Sequence, residues 1–138
     1  MQIDDSDARQ GLRLVRWVLA ILLFIHGAAR VATDGVAPFG AFLDGRGFPF
    51  GLGIAWAITV FELAGAPLFA LGRGIAPIAL AFSAIYACGI WLVHAPAGWF
   101  VVGLGRNGAE YSVLILACLL AHAWAYRPQA FRKPRGPR

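Results

Sequence analysis

Four long apolar runs alternate with short polar breaks along the chain. They cover residues 12–32, 51–71, 75–95 and 108–126. Each is about 20 residues, the length an α-helix needs to cross a bilayer. The breaks between the second and third runs and between the third and fourth are short, so those neighbours are expected to be antiparallel. The prediction is an all-α transmembrane protein, an up-down-up-down four-helix bundle. The connection at 33–50 is longer and holds Phe39, Phe42, Phe48 and Phe50 among Gly and Pro. Its "PFGAFL" stretch suits either one or two turns of helix lying in the interface, or a hydrophobic loop packed over the bundle mouth. No internal repeat is visible.

Composition excludes a water-facing solution. Hydrophobic residues make up 59% of the 138 and charged residues 14%, against about 25% charged in an ordinary soluble domain. The mean hydropathy is +0.68. The net charge of +5 sits mostly in the flanks, a pattern that suits anionic lipid headgroups and not nucleic acid. The N-terminal "MQIDDSDARQ" lacks a signal-peptide pattern, so the first run is expected to remain in the mature protein. The expected organisation is a cytoplasmic segment 1–11, a membrane domain 12–126 and a basic cytoplasmic tail 127–138. Arg9, Arg13, Arg16, Arg73, Arg127, Arg132, Lys133, Arg135 and Arg138 fall on one side of the membrane, and Arg30, Arg46 and Arg106 on the other. This asymmetry predicts cytoplasmic termini and the inner membrane as location.

Polar residues within the runs are the candidates for function. Glu62 lies near the middle of the second run, where a charge costs about 2.5–3.5 kcal/mol on insertion scales. It is expected to face inward and meet Arg30, His26 or Glu110. Its alternative role is to pin helix order. Pro67 frees the carbonyl of Leu63 and leaves a defect close by. His26 and Arg30 share one face of the first run. Asn107 and Glu110 have the N-x-x-E spacing of a variant capping box, which predicts Asn107 as the N-cap of the fourth helix, with Arg106 an interfacial charge.

Ala55, Gly65 and Ala66 near Glu62, and Ala117, Ala121 and Ala125 at spacing four, mark expected helix contacts. Ser83, Tyr86, Ile90 and His94 form a weakly polar stripe. His26 and His94 together invite a haem reading, but no other residue argues for it. His122 is read as an interfacial residue. Cys88 and Cys118 read as buried structural thiols. No Ser-His-Asp order, phosphate loop or metal-ligand spacing can be assembled, so no metal is expected.

The motifs "FIHGAAR", "FGAFLDGRGFPF", "FELAGAPLFALGRGIAP" and "GRNGAEYSVLIL", in this order, resemble the DoxX family of small four-helix membrane proteins. By resemblance, His26, Gly27 and Arg30 fill the first motif. Gly47 to Pro49 match the loop's G-x-P, Glu62 and Gly65 the mid-span motif, and Asn107, Gly108 and Glu110 the last. Family members often carry Lys where Arg30 stands. The resemblance implies association with membrane redox systems. The expected function is an accessory subunit of a membrane redox or electron-transfer complex, with other membrane subunits as partners. Its polar cluster of Glu62, Arg30, His26, Asn107 and Glu110 is expected to bind a quinone headgroup or a partner residue. A small independent quinone-linked oxidoreductase and a small-solute transporter are the alternatives.

Overall fold

The structure, a computed structural model, describes residues 4–102 and 107–128. Arg106 and most of the basic tail therefore lie outside the described residues. Among the described residues the chain is all helical and has no strand. The helices are α1 (Asp5–Ala32), α2 (Val36–Gly45), α3 (Gly51–Ala70), α4 (Ile75–Ala97) and α5 (Glu110–Ala125). Three of them, α1, α3 and α4, are long and apolar enough to cross a membrane. The fourth apolar helix, α5, has 16 residues and reaches only about 24 Å, short of the roughly 30 Å hydrocarbon thickness.

The apolar run of α1 is extended at its N-terminus into the acidic segment. Asp5 and Asp7 sit in its first turn, where the helix dipole favours negative charge. The Ser6 hydroxyl donates to Asp4 at 2.7 Å. That bond, and a second from the Ser6 backbone, hold the Asp4 carboxyl below its ordinary value. The connection between α1 and α3 contains a ten-residue helix, α2, longer than the one or two turns expected. It is also packed over α3: Val36 and Leu43 close with Ala55 into a small core, flanked by Phe39, Phe42, Phe48 and Ile54. Gly40 makes this contact possible, because a Cβ there would lie 2.7 Å from the Leu52 Cα.

The main core lies at the opposite end. Leu19, Ala20 and Leu23 of α1 meet Ala66, Phe69 and Ala70 of α3, Ile75, Ala79 and Phe82 of α4, and Leu119 and Ala123 of α5. The principal pairings are α1 with α3 and α4 with α5. Outside this core, large apolar side chains such as Leu14, Ile21, Ile25, Val60, Leu80, Trp91 and Leu114 remain exposed. A helical protein with such a surface is a membrane protein: lipid is a suitable environment for those side chains, and water is not.

Two expectations about packing are corrected. Ala55, Gly65 and Ala66 are buried as the small-residue rule predicts, but Ala117 and Ala121 are exposed. The inward face of α5 carries Ser112, Leu119, His122 and Ala123. Alanine is as compatible with lipid as with a neighbouring helix, so its spacing alone does not name the packed face. His122 is fully buried, not interfacial. Its ring lies edge-on to Phe69, and its Nδ1 and Nε2 lie 2.7 Å and 2.9 Å from the carbonyls of Cys118 and Leu12.

Candidate functional site

At the end of the molecule away from the main core, all five helices border a cavity of about 430 Å³. Its polar centre is an ion pair. Glu62 is 3% exposed, and its Oε2 accepts from Arg30 Nη1 at 2.5 Å, while Nη2 lies 3.5 Å from Oε1. The same Nη1 donates to the Thr59 hydroxyl at 3.0 Å, and that hydroxyl donates back to the Ala55 carbonyl at 2.7 Å. The Arg30 guanidinium also lies over the Phe39 ring, 4.7 Å from its centroid. Carboxylate, hydroxyl and aromatic face together fix the cation, which is what a buried charge needs.

Backbone geometry makes this pair possible. Gly27 stands one turn before Arg30, where a Cβ would come within 2.9 Å of the Glu62 Cβ and 3.3 Å of the Thr59 carbonyl. Glycine here lets α1 and α3 approach closely enough for a short, direct ion pair.

The remaining walls combine aromatic and polar groups. Phe39, Phe42 and Phe48 form the apolar side. Within α4, the chain leaves α-helical geometry for one π turn, Ile90–His94, a distortion frequent at functional sites. Leu92, Val93 and His94 from that turn border the cavity. His94 Nδ1 donates to the Asn107 carbonyl at 2.8 Å, tying α4 to the segment that leads into α5. Tyr86 also lines the cavity, and its buried hydroxyl has no hydrogen-bond partner.

Of the five sequence-predicted residues, Arg30 and Glu62 are in direct contact, and His26 and Asn107 line the same cavity. His26 has only a long 3.4 Å contact, from Nδ1 to the Leu22 carbonyl. Glu110 stands apart from the Arg30–Glu62 pair: its Oε1 accepts from the Val101 backbone N–H at 3.0 Å.

The capping box is not formed. Helix α5 begins at Glu110, and no side chain caps it. Asn107 has φ +60°, whereas an N-cap residue is extended. The backbone of the preceding loop takes over the capping role. Ala109 and Glu110 donate their N–H groups to the carbonyls of Gly98 and Trp99 at 3.0 and 3.1 Å. A Cβ on Gly108 would collide with the carbonyls of Trp99 and Phe100, so this close backbone packing requires glycine.

Sequence reading placed Tyr86 only on a weakly polar stripe and did not include Thr59 or Tyr111. Thr59 lies three residues before Glu62, hence on the same helix face, a spacing that could have identified it.

The DoxX family model matches residues 11–95. No curated protein matches the chain, and neither does any solved structure. The family match takes in His26, Arg30, Thr59, Glu62 and Tyr86 and stops before Asn107 and Glu110. Covering more than half of the sequence and both partners of the buried ion pair, it establishes that the chain belongs to the DoxX family.

Proposed function

We propose that this DoxX-family protein is an accessory subunit of an inner-membrane redox or electron-transfer assembly, and that its cavity binds a quinone headgroup. The observation that carries the reading is one cavity with an ionic floor, an unpartnered tyrosine hydroxyl and phenylalanine walls. A quinone ring has two carbonyl acceptors and two apolar faces. Arg30 and the Tyr86 hydroxyl are donors for the carbonyls, and Phe39, Phe42 and Phe48 are surfaces for the ring. The apolar tail of such a ligand leaves through lipid, which the exposed helix faces adjoin.

The wider arrangement we propose is an up-down-up-down bundle of α1, α3, α4 and α5 with both termini cytoplasmic. Contacts support it: Arg30 meets Thr59 and Glu62 while Arg16 lies beside Gly72, so α1 and α3 run in opposite senses. The imbalance of Arg and Lys supports the orientation. A reporter fused after Arg138 tests it: activity in the cytoplasm is expected, and periplasmic activity overturns it.

Titration of the detergent-purified protein with decylubiquinone, followed by tryptophan fluorescence, tests the ligand. Saturable quenching is expected. Tyr86→Phe is expected to weaken it about fivefold through one lost hydrogen bond without loss of stability. Linear, non-saturable quenching in the wild type removes the quinone reading. Mass spectrometry of a gentle detergent pull-down tests the accessory role: redox subunits are expected to co-purify. Saturable quinone binding by a protein that purifies alone and turns quinone over moves the reading to an independent oxidoreductase.

A further inference from the structure

The end of the molecule opposite the cavity holds a second buried arginine. Arg16 on α1 is 8% exposed. Its one hydrogen bond is long, from Nη1 to the Tyr126 hydroxyl at 3.4 Å, and its Nε has no partner. The guanidinium lies 5.7 Å from the centroid of the Tyr126 ring, which stacks in turn against His122. An arginine cannot shed its charge by deprotonation, and an isolated charge in a low-dielectric setting is costly. All seven acidic side chains of the protein are at Asp4, Asp5, Asp7, Asp34, Asp44, Glu62 and Glu110. Each lies within the described residues, and the ion pair among those residues is Arg30–Glu62. The counter-charge of Arg16 therefore does not come from a carboxylate side chain of this chain.

The surroundings indicate where it comes from. Gly72, in the turn between α3 and α4, borders the guanidinium: a Cβ there would lie 3.5 Å from Nη2. That turn is exposed, so the neighbourhood of Nη2 opens to the end of the helices. Arg9 and Arg13 precede Arg16 on the same face of α1, Arg73 follows Gly72, and Arg127 follows Tyr126. The buried cation thus sits at a cationic end of the molecule, next to helix surfaces suited to lipid.

We propose that Arg16, set between Tyr126 and the Gly72 turn, is a binding site for a phosphate-ester anion, the group carried by a phospholipid headgroup. Guanidinium–phosphate contacts are charge-assisted and among the strongest hydrogen bonds. The bound phosphate supplies the missing negative charge, and the surrounding arginines raise its local concentration. This inference does not depend on the proposed quinone site.

Thermal unfolding of the full-length protein in dodecyl maltoside tests the site, with three probes: dioctanoyl phosphatidylglycerol, dioctanoylglycerol and inorganic phosphate. Phosphatidylglycerol is expected to raise the unfolding temperature saturably, and dioctanoylglycerol, which lacks the phosphate, is not. Arg16→Gln is expected to weaken the response at least tenfold, and Arg73→Gln, on an exposed side chain, much less. Inorganic phosphate acting through Arg16 as strongly as the lipid supports the anion site with a soluble phosphate as its source. If Arg16→Gln does not fold, Arg16→Lys serves instead. It keeps the charge, loses the planar fork, and is expected to bind about tenfold more weakly. Equal stabilisation by dioctanoylglycerol, no response to any probe, or an undiminished response in whichever of these two variants folds overturns the proposal.

Discussion

Arg30 and Arg16 lie on the same helix, about four turns apart, and both are drawn out of solvent. Arg30 meets Glu62, Thr59 and the face of Phe39. Arg16 meets one tyrosine at long range and has no carboxylate. The first is an internally neutralised element of a cavity wall, and the second is an open valence at a cationic end. The difference teaches that burial alone does not define a site. Substituting one member of a completed pair strands its partner, whereas substituting an uncompensated charge removes a liability.

That contrast yields opposite outcomes for matching substitutions. Glu62→Ala is expected to destabilise the protein by about 3–5 kcal/mol, because it leaves the Arg30 cation buried without its carboxylate. Arg30→Met should cost less, since methionine still fills space beside the Phe39 ring, whereas alanine at position 62 also leaves a void. Arg16→Met, measured in lipid-free detergent, is expected to be neutral or stabilising. Chemical unfolding of the three variants checks the order. A loss for Arg16→Met as large as that for Glu62→Ala breaks the comparison, and recovery of stability in the Arg30→Met/Glu62→Leu double variant sharpens it.

Smaller effects follow from the helix contacts that hold the cavity wall. Gly27→Ala forces a methyl against the Glu62 Cβ, and Gly40→Ala forces one against the Leu52 backbone. Each is expected to cost about 1–3 kcal/mol by overpacking. The two differ in reach. Gly27→Ala should also loosen the Arg30–Glu62 pair and with it decylubiquinone binding, while Gly40→Ala acts mainly on the seating of α2. Unfolding temperatures beside quenching titrations separate the two.

Long-range hydrophobicity was the easiest information to recover from the sequence. The apolar runs found all the long helices, because a run of about 20 residues encodes a span without reference to its neighbours. Glu62 was legible as a residue in need of a partner for a related reason: a charge in mid-span requires one, and Arg30, His26 and Glu110 were the three on offer. What depended on tertiary contact was not legible. Ala117 and Ala121 of α5 had a helix-packing rhythm but face outward, and His122, which looked terminal, is buried against Phe69. Tyr86 was visible only as part of a stripe, since nothing local reveals that a hydroxyl lacks a partner. The N-x-x-E spacing of Asn107 and Glu110 matched a capping motif, yet carbonyls some ten residues earlier in the chain satisfy the amides at the start of α5.

That last difference yields the smallest and most discriminating prediction. If Asn107 were an N-cap, Asn107→Ser would be nearly neutral, because serine caps about as well as asparagine, and glycine would be slightly worse. The observed φ of +60° reverses the order. Left-handed backbone is open to glycine and tolerated by asparagine, but costs other residues about 1–2 kcal/mol. Asn107→Gly is therefore expected to match or slightly exceed the wild type in stability, and Asn107→Ser to lose about 1 kcal/mol. The Asn107 carbonyl that receives the His94 bond is backbone, so both variants keep that donor and acceptor, and the comparison isolates the conformation of one residue. Thermal unfolding of the two variants side by side decides it, and serine outperforming glycine would restore the capping box.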